Sequence, residues 1–167
     1  MQFFNKKHNY NLYNTLLILS RNIFFYKKIL LPDTFETRVF LMFFHFSIIM
    51  IIFKLKGTRF DQKSYDSLFN NIENNLRELG FGDVTVNKKM KELNKILYDI
   101  LLKIKSNNND DKKMLINKKL LIKYFPSTEN MKKEVFIEFE QYFSRFYDFC
   151  FELSSDNMIE EIKNFKN

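Results

Sequence analysis

The sequence has few of the residues that interrupt helices, with only three glycines and two prolines in 167 residues. Glycine and proline destabilise helix interiors most, and apolar residues recur at three- and four-residue steps along most of the chain. Hydrophobic residues make up 46% of the chain, which excludes a disordered protein. The sequence therefore predicts an all-α fold, a single-domain bundle of about six or seven helices around a buried central helix.

Residues that commonly carry chemistry are also scarce. The single cysteine, Cys150, excludes an internal disulfide and a zinc site built on cysteine pairs. The two histidines, His8 and His45, lie in no metal-binding motif, and the chain has neither a nucleophile elbow nor a phosphate-binding loop. A thiol–imidazole pair of His45 with Cys150 stays open as a candidate for catalysis. We expect no enzyme activity, no metal site and no cofactor.

Positive charge is concentrated in the middle of the chain. Residues 86–126 contain eleven lysines and four acids, whereas residues 127–167 contain five basic residues and nine acids. Lys88, Lys91 and Lys95 share one face of a helix predicted over residues 86–105. Two interpretations stay open: a solvated lysine face, or a surface that attracts the ribosome or an anionic membrane. Aromatic residues are not interleaved with the lysines, so we expect no sequence-specific nucleic acid as a partner.

The longest apolar run, residues 39–53, contains no charged residue. As a helix it would be about 22 Å long, which is short of the ~30 Å hydrocarbon core of a bilayer. We therefore predict that it forms the buried centre of the bundle, with membrane insertion or shallow membrane docking as the alternative. His45 lies near its middle. We expect this histidine to bond a backbone carbonyl or an acid in the core, with haem ligation as the alternative.

The N-terminal segment, residues 1–11, is predicted to be flexible. It lacks the apolar stretch of a signal peptide and the arginines of a mitochondrial presequence. This favours a bacterial cytoplasmic protein, at most peripheral on the inner membrane, or a protein on the matrix side if it is mitochondrial. A helix is predicted over residues 12–31, ended by Pro32.

The following helix is predicted to begin at Asp33 or Thr34, with Glu36 completing a capping box. Farther along, an asparagine- and aspartate-rich loop at residues 107–111 is predicted to divide the chain. Helices of residues 12–106 would form the core on one side of this loop. The C-terminal helices of residues 112–167 would pack on that core.

Two of the three glycines occur together after another predicted helix, over residues 64–79. Its core-facing stripe is Tyr65, Leu68, Phe69, Ile72, Leu76 and Leu79. Gly80 follows that stripe, where a left-handed helix end favours glycine. Gly82 and Asp83 predict a tight turn, and Thr85 is expected to cap the next helix.

This stretch also resembles a known signature. Residues 75–83 read Asn-Leu-Arg-Glu-Leu-Gly-Phe-Gly-Asp, similar to the L-R-E-x-G-x-G-D signature of the ubiquinol–cytochrome c chaperone family. Two further blocks occur in the family's order: Tyr13, Arg21 and Phe25-Tyr26, then Pro32-Asp33-Thr34 with Arg38 and His45. Together the blocks span residues 13–104. The chain departs from the family at residues 98–100, Tyr-Asp-Ile instead of Tyr-Gly-Arg, so a partner contact of that arginine would be lost or replaced.

The resemblance implies a function. Members of this family assist assembly of cytochrome b into the respiratory ubiquinol–cytochrome c reductase, so we expect a non-catalytic chaperone whose partner is newly made cytochrome b. The resemblance also implies residues for a partner surface or a structural lock: Arg38, His45, Arg77, Glu78, Gly80, Gly82 and Asp83. We hypothesise that Arg38 pairs with Asp83 or Glu78, since buried charges need partners. The alternative function is a basic membrane-surface or ribosome-associated helical protein without a cytochrome role.

Overall fold

The computed structural model describes residues 11–106, 114 and 116–167. Within this part of the chain the regular structure is helical and contains no strand, which confirms the all-α prediction. The helices are α1 (Asn11–Ser20), α2 (Ile23–Lys27), α3 (Phe35–Leu55), α4 (Gln62–Glu78), α5 (Asp83–Ser106), α6 (Lys118–Tyr124), α7 (Lys133–Phe151) and α8 (Met158–Glu161). Residues 1–10 of the predicted flexible segment and the predicted loop at 107–111 lie outside the described residues.

Helix α3 is the centre of the bundle, and it is longer than the apolar run of residues 39–53. Its 21 residues span about 32 Å because the residues flanking the apolar run continue the helix at both ends. It is the one helix of the described residues that is long and apolar enough to cross a membrane. The prediction that it is too short to span a bilayer is therefore wrong. Burial places it in the core instead, since 78% of its most apolar window is buried inside the bundle.

The other long helices are arranged around α3. Helices α1, α5 and α7 pack directly on it, and α4 contacts both α1 and α5. The C-terminal α8 lies against α1, where the hydroxyl of Thr15 donates to the carbonyl of Ile159 at 3.4 Å. The start of α3, the end of α4 and the first half of α5 lie next to one another, at the stretch that carries the family-like signature.

The single helix predicted over residues 12–31 is wrong. Helix α1 ends at Ser20, and a separate short helix begins after Asn22, whose side chain accepts a hydrogen bond from the amide of Phe24 at 3.0 Å. This local cap competes with a continuous helix. The chain then turns at Leu30, a non-glycine residue with a left-handed φ of 59°. Helical structure therefore stops several residues before Pro32.

Helix α3 begins with one of the two predicted caps, Thr34, but without the predicted capping box. The hydroxyl of Thr34 accepts the amide of Thr37 at 3.1 Å, so Thr34 is the N-cap. The third helical position is Thr37, and Glu36 does not complete a capping box. At its other end α3 stops at Leu55, and Gly57, just after the C-cap residue Lys56, has a φ of 67° that turns the chain away from the helix.

Candidate functional site

Helices α4 and α5 meet in a tight corner, residues 79–83, which we call the glycine corner. The amide of Gly80 donates to the carbonyl of Arg77 at 2.9 Å, and the amide of Phe81 donates to the carbonyl of Leu76 at 3.3 Å. This pair of bonds is the Schellman motif, which satisfies carbonyls at the end of a helix. Gly80 has a φ of +94°, so the motif requires glycine at this position.

Gly82 plays a different part from Gly80. Its φ is not left-handed, and a Cβ added there would meet no atom within 4 Å. Its carbonyl accepts the amide of Val86 at 2.9 Å, so it is the N-cap of α5. The prediction that Thr85 caps this helix is wrong, because α5 already begins at Asp83. The chain's own sterics do not require glycine at position 82.

An exposed ion pair spans the glycine corner. The guanidinium of Arg77, in the last turn of α4, bonds the carboxylate of Asp83, in the first turn of α5. It also reaches Glu73 one turn back, with 3.3 Å between Nη2 and Oε1. Each charge lies at the helix end whose dipole favours it. Arg77 and Asp83 thus form an ion pair between the two helices at the surface, with 42% and 82% of their side chains exposed.

The hypothesised lock of Arg38 with Asp83 or Glu78 is wrong. Arg38 pairs instead with Asp33, five residues earlier, with 2.8 Å from Nε and 2.7 Å from Nη2 to the same carboxylate oxygen. Asp83 is taken by Arg77, and Glu78 forms no ion pair with any described residue. A local acid next to the helix start is available to Arg38 without any tertiary contact, and this explains the outcome.

His45 is completely buried and both of its nitrogens have partners. Nδ1 lies 2.6 Å from the carbonyl of Leu41, which can only accept, so Nδ1 carries the proton. Nε2 then accepts the hydroxyl of Tyr142 at 2.8 Å. Burial lowers the pKa of His45 to about 4, although the bond to Leu41 opposes the change. His45 is a neutral core residue without a nitrogen free to ligate haem.

The thiol–imidazole pair does not form. His45 bonds Leu41 and Tyr142, whereas Cys150 is buried on α7. Burial raises the pKa of the Cys150 thiol far above its ordinary value, so the thiol is not poised as a nucleophile. The described residues also contain no group of three or more side chains able to hold a metal ion.

Two hollows flank the glycine corner. The corner groove, about 330 Å³, lies between α4, α5 and the start of α3, and its lining is Thr34, Phe35, Glu36, Leu76, Leu79, Phe81, Lys89, Glu92, Leu93 and Ile96. The polar cleft, about 390 Å³, opens toward α1, and its lining includes Tyr13, Arg21, Arg38, Asn75 and Glu78. Phe35 and Leu79 line both hollows and form the ridge between them.

The corner groove combines an apolar floor with acidic groups that have no ion-pair partner among the described residues. Leu76 and Leu93 are buried beneath it, while Leu79 and Phe81 are 57% and 39% exposed at its edge. Glu36 and Glu92 line the groove and form no ion pair with a described residue. Lys89 is engaged with the ring of Phe81 at 4.9 Å. The groove can therefore accept an apolar side chain with a cation beside it.

The exposed edge of this groove was not predicted from the sequence. Leu79 was predicted to lie on the core-facing stripe of α4. This is wrong, because Leu79 is the C-cap residue beyond the last turn that packs inward. Phe81 follows Gly80 in the motif that often places an apolar side chain against the helix end. That local pattern was a signal for an apolar group beside Leu76, but it does not show how much remains exposed.

The basic residues of α5 lie on its outer side. Lys88, Lys91 and Lys95 are exposed, opposite the residues that pack toward α3. Farther along, Asp99 binds Lys103 at 2.9 Å and Lys123 at 2.8 Å, and it accepts the hydroxyl of Tyr124. Although burial opposes it, these bonds hold the pKa of Asp99 well below its usual range. Asp99, which stands where the family usually has glycine, thus joins α6 to α5.

A family model described as ubiquinol–cytochrome c chaperone matches residues 27–120, more than half of the chain. The chain belongs to this family. The matched range contains the glycine corner and the whole corner groove, whereas the polar cleft also uses α1, which precedes it. It begins after the block of Tyr13, Arg21 and Phe25-Tyr26 and extends beyond residue 104. Neither the curated proteins nor the solved structures gave a match.

Membership in the ubiquinol–cytochrome c chaperone family supports a role in assembling complex III, the ubiquinol–cytochrome c reductase. It also implies that the chain binds a client protein. The residues support binding better than catalysis, since His45 and Cys150 are buried structural groups. The exposed apolar edge of the corner groove is the feature of the family region that best fits such a client.

Proposed function

We propose that this chain is a non-catalytic chaperone that holds newly made cytochrome b until haem and its partner subunits join. The observation that carries this proposal is the corner groove, which lies entirely within the family region and leaves Leu79 and Phe81 exposed. Large apolar residues clustered at the surface and rimmed by charge mark interaction sites.

The chemistry of the groove fits a segment of a membrane protein. Its floor offers Leu76, Leu93 and Ile96 to an apolar side chain, and Glu36 and Glu92 offer carboxylates to a cation. Apolar membrane-spanning segments carry an excess of lysine and arginine at their cytoplasmic ends. An apolar residue followed by a basic one is therefore the expected occupant of the corner groove.

Release would follow from competition for the same apolar surface. The groove is open and covers only part of a client segment, so haem and the mature partner subunits can bury that segment more completely. A ligand shifts an equilibrium by its differential affinity for the two states. The client therefore leaves when assembly offers greater apolar burial, and no catalytic step is needed.

A matched pair of double variants tests the proposal in cells that lack the gene. Leu79→Ser with Phe81→Ser removes the edge of the groove. Ile18→Ser with Phe151→Ser is the control, because Ile18 is 57% exposed like Leu79, and Phe151 is 41% exposed and also lies beneath a lysine. We expect the control to restore cytochrome b and reductase levels and the groove variant to leave them low. Full restoration by both would contradict the proposal.

We also propose that the protein works at the cytoplasmic face of the inner membrane, as a peripheral protein. The client is made at that face, and the net charge of +7 favours an anionic surface. A carbonate wash of isolated membranes tests the peripheral assignment. Release into the wash is expected, whereas retention in the washed pellet would show that α3 is inserted in lipid.

The alternative is a membrane-surface or ribosome-associated protein without a cytochrome role. The exposed lysines of α5 are the observation that favours it. Purification from cells synthesising cytochrome b separates the two functions. Recovery of the nascent cytochrome b chain supports the chaperone, and recovery of lipid or ribosomal RNA alone supports the alternative.

A further inference from the structure

The outer face of α5 carries a continuous exposed stripe, which we call the lysine stripe. Its six residues follow one another at steps of four and three: Val84, Lys88, Lys91, Lys95, Tyr98 and Leu102. At 100° per residue they fall within about 40° of one line along the helix, and that line is about 27 Å long. All six side chains are exposed, and Val84, Tyr98 and Leu102 are 85%, 57% and 65% exposed.

The stripe lies opposite the face by which α5 packs into the bundle. The packed face consists of Val86, Met90, Leu93, Leu97, Ile100 and Ile104. The stripe contains no acid: Glu92 lies about 80° away around the helix, and Asp99 is engaged by Lys103, Lys123 and Tyr124. Its three central lysines therefore present a positive charge that the helix itself does not neutralise.

We propose that the lysine stripe lies flat on an anionic lipid surface, with the lysines among the headgroups and Val84 and Leu102 reaching the acyl boundary. Lysine retains its charge in water at such an interface while its aliphatic stem covers apolar surface. Tyrosine is also favoured at this depth. The inference rests on the proposed peripheral location and adds which face of the molecule makes the contact.

The mixed composition of the stripe favours lipid over two other partners. A nucleic-acid backbone would use the lysines but gains little from Val84 and Leu102, which are exposed at the two ends of the stripe. A helix of another protein, packed at this four-and-three spacing, would bury the three lysines in its seam at a large desolvation cost. A lipid interface places each kind of side chain in the surroundings that it favours.

The absence of tryptophan makes a direct test simple, because a single introduced tryptophan reports from one known site. Leu102→Trp is placed on the stripe, and Ile137→Trp on α7 is the control at another exposed apolar position. The purified protein, without client, is mixed with vesicles of phosphatidylglycerol and phosphatidylcholine. We expect a blue shift and quenching by brominated lipid for Leu102→Trp only. No shift, or equal shifts at both positions, would overturn the proposal.

Charge is tested separately by Lys88→Gln, Lys91→Gln and Lys95→Gln in one variant. The control carries Lys63→Gln, Lys133→Gln and Lys163→Gln, three exposed lysines on other elements. Loss of the stripe lysines should weaken vesicle binding about 100-fold and the control should weaken it less than about fivefold. Equal losses, or binding to ribosomal RNA without binding to vesicles, would contradict the proposal. Because no client is present in these experiments, a negative result would not contradict the proposed role of the corner groove.

Discussion

The aromatic core around His45 and the glycine corner differ in how they use their side chains. In the core, Phe25, Tyr142, Phe143 and Phe146 surround the histidine ring at centroid distances of 4.8 to 6.0 Å, and both ring nitrogens are bonded. At the corner, Leu79 and Phe81 are exposed and the ion pairs face solvent. In the core the side chains bond and pack against one another, whereas at the corner backbone hydrogen bonds form the turn and the side chains remain exposed.

The residues that the family resemblance grouped together have different roles in the structure. His45 belongs to the core, and Gly80 determines the backbone of the corner. Arg77 and Asp83 form an ion pair between α4 and α5. The fold does not require the identity of Glu78 or Gly82, since Glu78 has no ion partner among the described residues and the N-cap position of Gly82 has space for a side chain. These two are therefore the signature residues that a partner contact would explain best.

The largest expected difference is between two phenylalanines. Phe143→Ala should lower the free energy of unfolding by about 3–5 kcal/mol, because it removes a fully buried ring in contact with His45, Tyr142 and Phe44. Phe81→Ala should lower it by less than about 1 kcal/mol. Urea denaturation of both variants measures the contrast. Similar costs would show that the corner is part of the core.

Acid should weaken the core through His45. Its pKa is 6.5 when unfolded and about 4 when folded, so the unfolded chain binds the proton more readily between these values. Stability is therefore complete above pH 6.5 and falls as the pH drops toward 4, by about 3 kcal/mol from this residue. His45→Gln, which stays neutral and keeps a donor and an acceptor, should lack this part of the dependence. If the free energy of unfolding of the variant and of the parent protein fell in parallel with pH, this role of His45 would be contradicted.

Serine at the two corner glycines should give unequal results. Gly80→Ser should cost about 1–2 kcal/mol, because a side chain is strained at a φ of +94°. Gly82→Ser should change stability by less than about 0.5 kcal/mol, since serine is a favoured N-cap and the site has space. Thermal unfolding measures both. A large loss from Gly82→Ser would mean that the fold, and not a partner, requires this glycine.

Arg77→Ala should have only a small effect on the fold. The side chain is exposed, and exposed ion pairs contribute little to stability, so the melting temperature should fall by at most about 3 °C. The small loss should shrink further at high salt. Unfolding of this variant at room temperature would show that the corner pair is a structural lock after all.

Local features of the sequence predicted the glycine corner, whereas contacts between residues distant in the sequence could not be predicted. Gly80 follows an amphipathic helix, and this spacing alone indicates a left-handed helix end. The partner of Arg38 was missed because a nearby acid, Asp33, competes with the distant ones. The hydroxyl that bonds His45 lies 97 residues away on α7, so no local pattern identifies it. The length of α3 was underestimated because it was calculated from the apolar run of residues 39–53 alone, without the charged and polar residues that continue the helix at both ends.

The most direct test of the account places a photo-crosslinking residue at position 81 and, as a control, at position 151, while cells synthesise cytochrome b. Both positions hold a phenylalanine of similar exposure, but only the first lines the corner groove. If the corner groove holds the client, position 81 crosslinks to newly made cytochrome b and position 151 does not. Crosslinking from position 151 alone, or to the same extent from both, would contradict it.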